Sequence, residues 1–192
     1  MSSPIGKVVV IGASAGGVDA LMQIVLGLPA SFPAPICVVV HIAPDARSLL
    51  PELLSRRGPL KAIHAVDKMP LERGMIYIAP PDHHLRIGRN RSLRVSNGAL
   101  EQHNRPAIDP LFRSAASAYG ANAIAVVLTG NLEDGTAGAQ AIKTCGGVVI
   151  VQDPGDAAYP SMPRSVLQHV AVDACVPLPA VASAIVQFTG CD

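Results

Sequence analysis

Ser14 is the residue best placed for nucleophilic chemistry, because it is flanked by glycines in the run Gly-Ala-Ser-Ala-Gly-Gly at 12–17. An apolar run at 7–11 precedes it and a helical pattern begins at Val18, so a strand is predicted to turn sharply into a helix around the serine. Glycines remove the Cβ clashes of such a turn, and the helix aims its first N–H groups at whatever the serine attacks. One turn could therefore hold both a nucleophile and an oxyanion site.

A glycine-rich turn after the first strand is also how many α/β domains bind nucleotide phosphates. The dinucleotide fingerprint requires G-x-G-x-x-G, but its middle glycine is replaced here by Ser14. The second apolar run, at 36–40, ends in His41, where a ribose-binding Asp or Glu is expected. Both substitutions argue against dinucleotide binding.

A serine hydroxyl needs a base to take its proton, and the base needs a carboxylate that fixes its tautomer. His41 follows the run at 36–40, and Asp134 lies in the loop 129–135 after the run at 124–128. Residues that follow parallel strands meet along one rim of the sheet. The order of these residues along the chain predicts a Ser-His-Asp triad of Ser14, His41 and Asp134.

Other carboxylates compete with Asp134 for the third position. Asp153 follows the apolar run at 148–151 and is the main alternative, and Glu133 and Asp109 are weaker ones. Asp109, directly before Pro110, is predicted to cap its own helix. Position alone does not separate Asp134 from Asp153.

The elements that would position these residues alternate between strands and helices. Helical patterns separate several of the apolar runs, which predicts an α/β fold with a mostly parallel sheet. Residues 85–95 alternate apolar and polar side chains around a Gly-Arg-Asn-Arg turn, which predicts an antiparallel hairpin, placed here at the sheet edge. The predicted strands are 7–11, 36–40, 75–79, 124–128 and 148–151.

Composition narrows the possible classes of protein. The chain has 192 residues and no composition shift, which predicts one domain over 1–192 with a core of about 5–189. Its apolar runs are too short to cross a membrane, and no export signal is evident, so a cytoplasmic location is expected. A formal charge of +1 and the lack of Trp argue against a nucleic-acid partner.

Cysteine and histidine spacing gives no sign of a metal site. The four cysteines lack C-x-x-C spacing and are interpreted as reduced packing residues, Cys37 and Cys145 lying in or beside apolar runs. The adjacent His83 and His84 rarely converge on one ion and are predicted to be exposed to solvent.

Nine short segments follow one another in the order of the motifs of a known family. They are 11–17, 39–44, 74–80, 104–106, 109–116, 128–130, 134–135, 152–154 and 162–164. Through them the chain resembles the catalytic domain of the CheB family, the chemotaxis receptor protein-glutamate methylesterases. The resemblance implies a three-layer α/β/α fold, hydrolysis of γ-glutamyl methyl esters on receptor helices, and a triad of Ser14, His41 and Asp134. It implies no metal or organic cofactor, and glutamine deamidation is a related activity.

The same resemblance suggests the other site residues. The oxyanion is expected to rest on the backbone N–H groups of Ala15 and Asn131. Arg105 and Phe112 are expected to line the substrate groove. The expected partner is a methylated chemoreceptor helix or a similar signalling protein.

The sequence also departs from the family pattern. Leu132 stands where the family has a glycine, and Ala15 stands where some members have a threonine. The receiver domain that is common in the family has no counterpart in this sequence. These departures keep open an alternative hypothesis, a weak or inactive module that binds a receptor or signalling partner.

Overall fold

The computed structural model describes residues 6–42 and 48–190, which form a seven-stranded parallel sheet, a two-stranded hairpin and six helices. The strands of the large sheet are β1 (Val8–Ala13), β2 (Ile36–Val40), β3 (Lys61–His64), β4 (Met75–Ile78), β7 (Ala123–Val127), β8 (Val148–Gln152) and β9 (Ala174–Val176). Their order in the sheet is β3-β4-β2-β1-β7-β8-β9.

The central strands form where the sequence has apolar runs rich in β-branched residues. Every residue of β1, β2 and β7 is buried, as expected for parallel strands covered on both faces. The chain runs outward from β1 to one edge and then returns to β7 on the other side of β1. This reversal makes the carboxyl ends of β1, β2 and β7 the expected position of a binding crevice.

Helices cover both faces of the sheet, which confirms the three-layer α/β/α fold. The helices are α1 (Gly17–Leu26), α2 (Leu50–Arg57), α3 (Ile108–Tyr119), α4 (Thr136–Thr144), α5 (Ser161–His169) and α6 (Leu178–Thr189). Apolar side chains of α3, α4 and α5 pack in one core with the sheet and the hairpin, and those of α1, α2 and α6 pack in the other. None of these helices in the described part of the chain is long and apolar enough to span a membrane.

The hairpin is present, but its predicted place at the sheet edge is wrong. Strands β5 (His84–Ile87) and β6 (Leu93–Ser96) pair antiparallel as a separate two-stranded sheet. Leu85 and Leu93 point into the core shared with α3, and the Ile87 N–H donates to Ser114 Oγ of that helix at 2.9 Å. The alternating pattern predicted the pairing, whereas packing against α3 decides where the hairpin lies.

Two further expectations are corrected by burial. His84 is fully buried: its Nε2 lies 2.8 Å from the Ala99 carbonyl oxygen, and the Ala107 N–H donates to its Nδ1. Cys37 is buried as expected, but Cys145 is exposed because it lies just beyond the end of α4. Cys175 of β9 is exposed as well, so the prediction of packing residues is wrong for Cys145 and Cys175. Cys191 lies outside the described residues.

Candidate active site

Ser14 follows directly after β1 and stands on a turn that only small residues can form. The Gly16 backbone has φ of 76°, in the left-handed region that glycine adopts readily. A Cβ on Gly17 would lie 2.5 Å from the Ala13 Cβ, and one on Gly12 would overlap Ile108 of α3. The glycines therefore let the turn close and let α3 approach β1.

Residues 129–130, directly after β7, contact the turn that carries the serine. The Ser14 N–H donates to the Thr129 carbonyl oxygen at 3.0 Å, and the Thr129 hydroxyl donates to the Ala15 carbonyl oxygen at 3.0 Å. A Cβ on Gly130 would lie 2.8 Å from the Ser14 Cβ and would also overlap Met162. The backbone of 129–130 thus packs directly against the serine.

His41 lies between the serine and the aspartate. Its Nδ1 is 3.1 Å from Ser14 Oγ, and its Nε2 is 2.8 Å from Asp134 Oδ2. The side chain of His41 is 14% exposed and that of Asp134 is 1% exposed, so the aspartate is shielded from solvent while the imidazole reaches the surface. A proton on Nε2 bonded to the carboxylate leaves Nδ1 free to accept the serine proton.

Asp134 is held by the N-terminus of α3 as well as by the histidine. Its Oδ2 accepts the Ile108 N–H at 2.7 Å, and its Oδ1 accepts the Asp109 N–H at 3.0 Å. Negative charge is stabilised at a helix N-terminus, where the first N–H groups have no partner within the helix. The carboxylate therefore has fixed donors on both oxygens.

The competing acids lie elsewhere. Asp153 Oδ1 accepts the Gly155 N–H at 2.7 Å in a turn after β8, and Glu133 is exposed. Asp109 does not cap its own helix: α3 begins at Ile108, and Asp109 Oδ1 accepts the N–H groups of Gly135 at 3.1 Å and Gly138 at 2.6 Å. The structure therefore brings together Ser14, His41 and Asp134, and it corrects the prediction for Asp109.

Burial raises the pKa of the Asp109 carboxyl above its ordinary value, and the charge of Asp134 raises it further. The N–H groups of Gly138 and Gly135 and the Arg113 guanidinium lower the same pKa. Two buried carboxylates thus lie beside each other at the start of two helices.

The two residues expected to line the substrate groove have different surroundings. Phe112 is fully buried beneath α4, where a Cβ on Gly138 would lie 2.5 Å from the Phe112 Cβ, so its expected contact with substrate is wrong. Arg105 donates to Asp82 Oδ1 at 2.8 and 2.6 Å and to the Gly98 carbonyl oxygen at 2.6 Å. The hydrogen bond from Arg105 lowers the pKa of Asp82.

The loop 131–134 follows Gly130, whose backbone packs against Ser14. In the described part of the chain, neither the Ala15 nor the Asn131 N–H has a protein hydrogen-bond acceptor. Leu132 has φ of 64° and is 71% exposed, so the position expected to need glycine does have a positive φ. A cleft of about 580 Å³ lies beside this loop, and its lining includes Gln102, His103, Leu132, Glu133 and Arg164.

Replacing Leu132 with glycine is expected to stabilise the protein by roughly 0.5–1 kcal/mol. The left-handed conformation destabilises a non-glycine residue by about 1–2 kcal/mol, and glycine relieves that strain. The greater flexibility of glycine in the unfolded chain offsets about 0.5–1 kcal/mol of this stabilisation. Little apolar burial is lost, because Leu132 is exposed. Urea unfolding measures the change. Leu132→Ala is the matched control, because it removes the apolar surface but keeps the Cβ; a glycine variant no more stable than the alanine variant would contradict the assignment of strain.

Fold and site together define an α/β protein with a hydrogen-bonded serine, histidine and aspartate at the carboxyl ends of three neighbouring strands. The model of the CheB methylesterase family matches residues 9–185, and the chain belongs to this family.

Known proteins resemble the chain over nearly its whole length. The catalytic domain of Thermotoga maritima CheB methylesterase superposes with a TM-score of 0.90 at 36% identity, covering 95% of this chain and 98% of that domain. A relative from Leptospira interrogans is 36% identical over 95% of this chain and 94% of its own. A Methanosarcina acetivorans protein-glutamate methylesterase/protein-glutamine glutaminase is 35% identical over 96% of this chain but 54% of its own.

Sequence reasoning missed two contributors to the site. Gln102 Nε2 donates to Asp109 Oδ2 at 2.8 Å from a turn in which Gln102 has φ of 47°. Thr129 ties the serine turn to the segment after β8, since its Oγ1 accepts the Tyr159 N–H at 2.8 Å. The role of Thr129 depends on a contact with a distant part of the chain. Gln102 is close to Asp109 in sequence, but its contact depends on a turn with positive φ that no local pattern predicts.

Proposed function

We propose that this protein hydrolyses γ-methyl esters of glutamate on chemoreceptor-type proteins, with Ser14 as nucleophile, His41 as general base and Asp134 as the acid that orients it. The observation that carries the proposal is the unbroken chain of hydrogen bonds from Ser14 Oγ through the imidazole to the buried Asp134 carboxylate. Membership of the CheB methylesterase family supports the ester as substrate.

In the first half of the reaction, Ser14 Oγ attacks the ester carbonyl carbon while His41 Nδ1 takes the hydroxyl proton. The tetrahedral intermediate then collapses: the C–O bond to the methoxy group breaks, and His41 returns the proton to the leaving oxygen. Methanol departs and a glutamyl-serine ester remains. Asp134 accepts the Nε2–H throughout and stabilises the imidazolium.

In the second half, water attacks the acyl carbon and gives its proton to His41 Nδ1. The bond to Ser14 Oγ breaks, the imidazole returns the proton to the serine, and glutamate is released. The ring orientation is set by the two hydrogen bonds that the imidazole makes, so the same nitrogen serves both halves of the reaction.

The N–H groups of Ala15 and Asn131 are proposed to stabilise the oxyanion. They flank the serine on the turn and on the loop after β7, and neither has a protein acceptor among the described residues. Removal of one oxyanion donor costs about 3 kcal/mol in comparable hydrolases. Arg105, already paired with Asp82, is proposed to shape the groove wall.

A second activity, deamidation of receptor glutamine, uses the same acyl intermediate with ammonia as leaving group. The name of the Methanosarcina acetivorans relative carries both activities, which favours it here. The proposed partner is a methylated receptor helix, and a cytoplasmic location goes with that substrate.

The test combines two measurements on wild-type protein and on Ser14→Ala as control. A serine-directed phosphonate should label wild type at residue 14, and methylated chemoreceptor should release methanol. If folded wild-type protein is not labelled and releases no methanol, the esterase proposal is rejected in favour of the alternative, a module that only binds its partner. Labelling without methanol release would retain the nucleophile and reject this substrate.

A further inference from the structure

Two helix N-termini beside the site exchange their capping carboxylates, an arrangement named here the crossed caps. Asp134, just before α4, accepts the N–H groups of Ile108 and Asp109 in the first turn of α3. Asp109, in that turn, accepts the N–H groups of Gly135 and Gly138 at the start of α4. Each carboxylate therefore caps the helix of the other.

Among the described residues, the carboxylates of the crossed caps take the place of side-chain caps from the N-cap residues of these two helices. The N-cap residues are Ala107 for α3 and Gly135 for α4, and neither makes a side-chain cap hydrogen bond. Asp109 and Asp134 are 2% and 1% exposed, so water does not replace either carboxylate as acceptor. The position of Asp134 is thus tied to that of Asp109 through the first turn of α4.

Gln102, on an exposed turn, adds a hydrogen bond to one carboxylate of the crossed caps. The backbone of Glu101 and Asn104 forms a tight turn, with hydrogen bonds of 3.1 and 2.9 Å in the two directions. Gln102 and His103 at its tip have φ of 47° and 63°, a conformation that costs a non-glycine residue of order 1–3 kcal/mol. The strained turn directs the Gln102 amide onto Asp109 Oδ2, the oxygen that α4 does not use.

We infer that Asp109, held by Gln102, is a positioning residue that keeps the Asp134 carboxylate aligned with His41. The inference rests on the proposed function, since it concerns the acid of that triad. Asp109 makes no hydrogen bond with Ser14 or His41 in the described structure, so its effect passes through the backbone of 134–138. Losing its carboxylate leaves two buried N–H groups without an acceptor and frees the first turn of α4.

Asparagine and alanine at position 109 separate positioning from charge. Asp109→Asn keeps an oxygen for Gly135 and Gly138, and the Gln102 amide rotates to present its oxygen to the new NH₂ group. Asp109→Ala removes both functions. We expect kcat for Asp109→Ala to fall about 10–100-fold at nearly unchanged KM, and Asp109→Asn to restore most of it.

A double-mutant cycle with Asp134→Ala provides the decisive readout. If Asp109 acts through Asp134, adding Asp109→Ala to Asp134→Ala should lower kcat by less than about threefold. A full 10–100-fold loss on that background, or an Asp109→Ala single variant as active as wild type, would overturn the inference. Glu52→Ala, which removes an exposed acid from the first turn of α2, is the matched control.

Folding and substrate identity are controlled separately. Thermal melts show whether Asp109→Ala is folded; if it is not, Gln102→Ala, on the exposed turn, serves in its place with a smaller expected loss of about 3–10-fold. The rate of Ser14 labelling by a phosphonate is measured beside methanol release. Wild type that is labelled but releases no methanol defeats the proposed substrate, while the labelling rates of the variants still test the inference.

Discussion

Replacing Ser14 with alanine should lower kcat for methanol release by roughly 10⁶-fold, to the level of the unassisted site. The reason is chemical: the half-buried hydroxyl is the group at hydrogen-bond distance from His41 Nδ1, and without it no acyl intermediate forms. The fold should be unaffected, because alanine fits a turn that already contains Ala13 and Ala15.

Methanol release from methylated receptor measures this effect, with circular dichroism as the check on folding. Ser183→Ala, on the exposed face of α6, is the matched control and should behave as wild type. Full activity in a folded Ser14→Ala protein would reject the mechanism. A residual rate that responds to Asp134 replacement would instead identify water activated by His41 as the nucleophile.

Replacing Asp134 with asparagine should lower kcat by about 10⁴-fold, as loss of the acid does in serine proteases. An NH₂ group facing His41 Nε2 would donate to it and force the ring proton onto Nδ1, where the imidazole can no longer accept the serine proton. An amide turned the other way would keep its oxygen on His41 and on the Ile108 N–H, but its NH₂ group would face the Asp109 N–H, a donor opposite a donor. A stability loss of about 1–3 kcal/mol should accompany the change.

Asp153→Asn is the matched comparison for this second variant. Its side chain serves a turn after β8 and makes no hydrogen bond to His41, so activity should stay near that of wild type. An equal loss of kcat in Asp134→Asn and Asp153→Asn would contradict the assignment of Asp134 as the acid. Loss of activity in Asp153→Asn alone would identify Asp153, which follows the neighbouring strand β8, as the acid that pairs with His41.

The sequence predicted the interior of the sheet well because its strands are buried on both faces. Apolar runs mark β1, β2, β4, β7 and β8 to within about two residues. The edge strands β3 and β9, of four and three residues, were missed because they are short and only partly buried.

The site was predictable to the extent that strand ends position it. Ser14 and His41 follow neighbouring strands, so their contact follows from the alternation of elements alone. Asp134 and Asp153 follow β7 and β8, which are also neighbours, and only the resemblance to a family chose between them. In the structure the N-terminus of α3 distinguishes the two acids, because its N–H groups bind the carboxylate of Asp134. No local sequence pattern predicts that contact.

Phe112 and Asp109 illustrate the same limit. Both lie in a helix whose start was predicted, yet their roles depend on how closely α4 approaches. Gly138 allows that approach: it brings the start of α4 against the Phe112 Cβ and onto the Asp109 carboxylate. The close contact between α3 and α4 was therefore the part of the structure that the sequence pattern could not predict.

Ser14, His41 and Asp134 all follow strands in the middle of the sheet, and the edges at β3 and β9 are separated from them by β4 and β8. Edge strands open by local fluctuation far more often than central ones, which exchange their amide hydrogens only on global unfolding. Fraying of either margin should therefore leave the reacting groups assembled. On gradual warming, hydrolysis should persist until the whole sheet cooperatively melts.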